Sequence, residues 1–78
     1  MHSFQVALHS FEDVRDFVFL AAAQCFEITV HSGENHANGK SLMVMLSLDY
    51  SRPMWVRCFC DAVQAHTFMQ EAHRFTCN

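Results

Sequence analysis

Glycine and proline are nearly absent: two Gly and one Pro stand in 78 residues. That scarcity leaves little room for linkers or disordered segments. Lysine occurs once, as Lys40, and Arg15, Arg52, Arg57 and Arg74 are scattered singly along a chain of net charge −3. A nucleic-acid footprint needs clustered positive charge, so no nucleic-acid partner is expected. No apolar run approaches about 18 residues, so no helix is expected to span a membrane. Met1-His2-Ser3 runs into a strand-like pattern with no basic or apolar leader, which predicts a cytoplasmic protein. Cys25, Cys58, Cys60 and Cys77 are then read as reduced thiols, not as a disulfide framework.

Chemical signatures are equally sparse. No glycine-rich loop is present to cradle a phosphate. A cysteine nucleophile needs a base partner and a lowered pKa, and the sequence offers neither. Six histidines and four cysteines invite a zinc reading. Zinc sites, however, pair C-x₂₋₄-C with H-x₃₋₅-H. Here Cys58 and Cys60 lie two apart on one strand, and His31 faces His36 across a turn. His66 and His73 share a helix face but stand ~10 Å apart along its axis. No metal or other cofactor is expected, and the chain reads as more a binding module than an enzyme.

What the chain has in abundance is core. Hydrophobic residues make up 51% of it, including eight Phe and five Met. A domain this small buries only about 60–65% of its unfolded surface, so a dense interior is required. The whole chain, 1–78, reads as one domain. Residues 4–8 (FQVAL) alternate as a half-buried strand. Ser10 is an N-cap, with Asp13 making a weak capping box, and residues 11–24 form a helix. Phe11, Val14, Phe17, Val18, Ala21 and Ala22 mark its buried face, and Phe19 and Leu20 are read as extra core. Residues 26–31 (FEITVH) form a strand, 32–35 a turn, and 36–39 a returning strand. Residues 41–47 make a two-turn helix and 49–53 a loop. Residues 54–60 (MWVRCFC) form a long strand, with Trp55, Arg57 and Phe59 on one face and Met54, Val56, Cys58 and Cys60 on the other. Asp61 caps a final helix over 62–75, with Ala65, Phe68, Met69, Ala72 and Phe75 inward. The order β-α-β-β-α-β-α predicts an α+β open-faced sandwich. Its four-stranded, mainly antiparallel sheet carries three helices on one face.

With Phe17-Val18 in the first helix, Glu27-Ile28-Thr29-Val30 in the second strand, and Lys40-Ser41-Leu42 opening the short helix, the chain resembles HPr. HPr is the histidine-containing phosphocarrier of the bacterial phosphotransferase system for sugar transport. The likeness runs over residues 11–74, and Leu48 fits it too. It implies the same sandwich, and protein partners among phosphotransferase or transcription components.

The resemblance breaks at its chemistry. HPr carries its phosphoryl group on a histidine in a Gly-x-His-x-Arg-Pro segment before the first helix. Here the segment reads Leu8-His9-Ser10-Phe11-Glu12-Asp13, with Ser10 at the histidine's place and Glu12 at the arginine's. Two acids there oppose a phosphoryl group. The expectation is a regulatory or interaction domain without a catalytic residue; the alternative is a phosphocarrier using His9. By resemblance, Ser41 corresponds to a regulatory phosphorylation site, although as a residue it reads first as an N-cap. By the same resemblance, Leu42, Met43 and Leu46, with Lys40, form the partner-docking patch.

Overall fold

The computed structural model describes residues 1–77 and contains four strands, three α-helices and a closing 3₁₀ turn. Strand β1 is His2–Val6, helix α1 Phe11–Ala22, β2 Glu27–Ser32, β3 Asn35–Asn38, α2 Leu42–Met45, β4 Met54–Phe59 and α3 Ala62–Glu71. The predicted order holds. The sheet runs β1-β4-β2-β3, and every neighbouring pair is antiparallel. β4 enters between β1 and β2, so α1 crosses between two parallel, non-adjacent strands. α2 does the same between β3 and β4.

Alternation along the strands puts one face of the sheet under the helices. Phe4 and Val6, Ile28 and Val30, Ala37, and Met54, Val56 and Cys58 are all buried on that side. They share one core with Val14, Phe17, Val18 and Ala21 of α1 and Phe68 of α3. The other face is open, with Trp55 and Phe59 about half exposed. Among the described residues no helix is long and apolar enough to cross a membrane.

Several boundaries differ from the sequence reading. β1 lies two residues earlier than 4–8: Leu8 is buried, but the backbone beyond Val6 turns to the C-terminal segment, where Ala7 N–H donates to Phe75 O at 2.8 Å. α1 stops at Ala22 without glycine, and the Gln24 amide donates to the Leu20 carbonyl at 3.0 Å, satisfying one of the orphaned helix-end acceptors. The hairpin turn tightens to Gly33-Glu34, with Gly33 at φ +60°, the left-handed first position that glycine fills without strain. α3 ends at Glu71 and narrows into the 3₁₀ turn His73–Phe75. Its start is as expected: the Asp61 carboxylate accepts from Gln64 N–H at 2.8 Å and the Gln64 side chain returns to Asp61 N–H.

The thiols have distinct settings. Cys58 is buried, and that burial, with Cys60 beside it, pushes its pKa up to about 12. Cys25 is exposed. A thiol-specific disulfide reagent should therefore label Cys25 in the native protein and Cys58 only on unfolding. Native-state labelling of Cys58 at the Cys25 rate would contradict this packing.

Candidate functional site

The segment before α1 folds back on itself. Ser10 is extended (φ −149°, ψ 167°), and its Oγ accepts from Asp13 N–H at 3.1 Å. The Asp13 carboxylate accepts from His9 N–H at 3.0 Å. The reciprocal cap thus lands on His9, one residue before the N-cap, not on Ser10 as in a standard capping box. Arg74 closes the arrangement from the C-terminal end of the chain. Its Nη1 lies 3.3 Å from Asp13 Oδ1 and its Nη2 lies 2.7 Å from Asp16 Oδ2. The guanidinium rests 4.1 Å above the Phe75 ring. Arg15 reaches the other oxygen of Asp16 at 3.1 Å.

The His9 N–H bond is the main cause that holds the Asp13 carboxyl below its ordinary 3.8; burial opposes it, and the charge and hydrogen bond of Arg74 add to the lowering. A depressed carboxyl pKa stabilises the fold above the unfolded value and loses that contribution as pH falls through the folded one. Asp13→Asn should therefore cost about 0.3–1 kcal/mol near neutral pH. The difference from wild type should shrink as pH drops below 3.8. Chemical denaturation at several pH values measures it, and a constant difference across that range would contradict the assignment.

A helix N-terminus attracts anions through its free N–H groups and dipole. At α1 the Ser10 hydroxyl takes one of those amides, that of Asp13, while the Asp13 carboxylate bonds the His9 N–H just before the helix and puts negative charge there, with Glu12 exposed beside it. His9 is exposed, and its imidazole makes no hydrogen bond among the described residues. The arrangement suits self-capping better than holding a second anion.

The second region is where α2 meets α1. Lys40 is a strut: its ammonium donates to Gln24 O at 2.7 Å, tying the entry of α2 to the exit of α1. Its charge is directed to that carbonyl. Ser41 occupies the N-cap position of α2 but makes no side-chain cap bond, so the capping role read for it is not realised. The helix itself is four residues long, shorter than the predicted 41–47. Met45 and Leu48 turn inward, and the Tyr50 hydroxyl donates to the Met45 carbonyl. Met43, 85% exposed, and Val44 and Leu46 point outward.

Leu42 leans on α1 and helps form an apolar groove of about 240 Å³ with Arg15, Val18, Phe19 and Ala22. Phe19 is 72% exposed and Phe11 52% exposed, so neither joins the core as the sequence reading expected. Their spacing with Arg15, every fourth residue, puts them along one flank of α1. A signal for this was present: the apolar positions of residues 11–22 cover more of the helix than one sheet-facing stripe can bury. Phe11, Phe19, Leu42, Met43 and Leu46 thus lie on the α1–α2 side. Large exposed apolar side chains such as Phe19 and Met43 on neighbouring elements, with a shared groove at Phe19 and Leu42, mark interaction surfaces more than scattered single ones do.

Comparison with known proteins places this geometry. The sequence matches no family model and no curated protein. The structure is similar to the crystal structure of HPr-C-His from Thermoanaerobacter tengcongensis, with a TM-score of 0.72. The match covers 91% of this chain and 89% of that one. The chain has the HPr fold. Sequence identity is 21%, so the likeness lies in the HPr scaffold. Within that scaffold, the two places singled out by the sequence resemblance, the segment before α1 and the short helix α2, are the two regions described above.

Proposed function

We propose that this HPr-like domain is a regulatory or interaction module that docks a protein through α1 and α2 and carries no phosphoryl group on histidine. The observation that carries the reading is the exposed apolar surface of Phe19, Met43 and Leu46 beside the groove at Leu42. Soluble domains conserve little free energy by leaving such side chains in water, whereas a partner gains by covering them. The self-capped α1 N-terminus supports the second half: Asp13 and Glu12 stand where a phosphoryl group would need cations. Phosphotransferase or transcription components are the partner class. Ser41, whose hydroxyl caps nothing, is the candidate for regulatory phosphorylation, which would put charge at the edge of the apolar surface.

Titration of the labelled protein with the general phosphotransferase enzyme, followed by NMR, tests the docking. Perturbed signals should cluster at Phe11, Phe19, Leu42, Met43 and Leu46. The pair Phe19→Ala and Met43→Ala should weaken binding at least about tenfold, as loss of central apolar anchors does. Perturbations centred on the open sheet face, or unchanged affinity in the double variant, would overturn this surface assignment. No binding would remove that enzyme as the partner.

A further inference from the structure

The open face of the sheet carries a feature that docking through α1 and α2 does not use. His31 and His36 are direct partners across the β2–β3 hairpin, and their rings stack with centroids 5.6 Å apart and planes 28° from parallel. The ladder fixes what kind of pair this is. Gly39 N–H donates to Ile28 O at 2.9 Å, making Ile28 and Gly39 a hydrogen-bonded pair. Antiparallel pairs alternate, so Thr29–Asn38 is non-bonded, Val30–Ala37 bonded, and His31–His36 non-bonded. Non-bonded pairs bring their Cα atoms to about 4.5 Å and their side chains closer than bonded ones do. Neither imidazole is held by a hydrogen bond among the described residues, and His36 is exposed.

We propose that His31 and His36 form a two-imidazole chelate for a divalent borderline transition-metal cation, with water completing the coordination. Imidazole selects nickel, copper and zinc over magnesium and calcium, which prefer oxygen. Stacked rings in facing positions need only turn about their Cβ–Cγ bonds to aim one nitrogen each at a shared ion. The described residues hold no group of three or more His, Cys, Asp or Glu suited to a metal, so this is an open, exchangeable site and not a structural zinc centre. Arg57, opposite Thr29, is the nearest fixed cation on this face and limits the affinity.

The neighbouring strand supplies a reporter. Trp55 is the register partner of His31 on β4 and is the one tryptophan of the chain, so its indole N–H gives a single NMR signal. Nickel chloride is the probe, because Ni²⁺ is paramagnetic and does not oxidise the thiols. At near-stoichiometric nickel, the Trp55 indole and the rings of His31 and His36 should broaden before those of His2, His9, His66 and His73. His36→Gln should raise the nickel midpoint at least about tenfold, since loss of even a supporting outer-shell group costs about 10–100-fold. His31→Gln should match it, while His2→Gln, remote from the hairpin turn, should leave the Trp55 response unchanged. Broadening that begins at another histidine, or that persists in His36→Gln, would overturn the proposal.

Discussion

Phe68→Ala is expected to lower the unfolding free energy by about 3–5 kcal/mol, the range for emptying a fully buried aromatic site. Phe68 is fully buried and packs on three rings at once: Phe4 at 5.8 Å, Phe17 at 6.0 Å and Phe26 at 6.1 Å. These rings come from β1, α1 and the approach to β2, so the cavity would lie where α1 and α3 meet the sheet. The remaining rings belong to separate backbone elements and cannot collapse together to fill it. Each kcal/mol shifts Tm by roughly 4–8 °C in a domain of this size, so a fall of roughly 12–40 °C is expected. Phe19→Ala is the contrast. That ring is mostly in water, and its loss should stay within about 0.5 kcal/mol. Thermal and urea unfolding followed by circular dichroism measure both. Equal losses for the two phenylalanines would contradict the placement of the core.

Gly39→Ala is expected to cost about 1–3 kcal/mol, the range for forcing extra atoms into a packed interior. A Cβ at Gly39 would stand 2.8 Å from Ile28 Cγ2 and 3.4 Å from both Ile28 O and Val30 Cγ2. Ile28 and Val30 are fully buried, and a methyl on a β-branched side chain has little freedom to swing away. The strain would fall on the β2–β3 pairing and on the link into α2. Its signature is loss of amide-exchange protection along β3 ahead of global unfolding. Gly33→Ala differs in kind: nothing crowds a Cβ there, and the cost comes from φ +60° alone.

Much of this architecture was legible because the side-chain periods are clean. In β4 the alternation of Met54, Val56 and Cys58 with Trp55, Arg57 and Phe59 assigns each face correctly. Asp61 announces α3 by chemistry that depends only on local position, and the structure adds the reciprocal bond from Gln64. The facing of His31 and His36 followed from the turn between them. Features set by tertiary contact were not legible. Phe19 and Phe11 look like core in a one-dimensional pattern, but α2 is too short to cover them. Lys40 looks like a surface cation until its carbonyl partner on Gln24, distant in sequence, is seen. Ser41 has the residue type and position of a cap, yet its hydroxyl does not engage the helix. At the α1 N-terminus, the acids at positions 12 and 13 gave the sign of the local charge. The contribution of Arg74, from the far end of the chain, could not be read from that segment.

On the proposed reading this HPr-fold domain accepts no phosphoryl group on His9, because the Asp13 carboxylate already bonds the His9 N–H beside the start of α1. Incubation with phosphoenolpyruvate and the general phosphotransferase enzyme, followed by intact-mass analysis under alkaline conditions, tests it most directly. The expected result is an unchanged mass for this protein while a functional HPr in the same mixture is phosphorylated. Stoichiometric, acid-labile phosphate on His9 would contradict it.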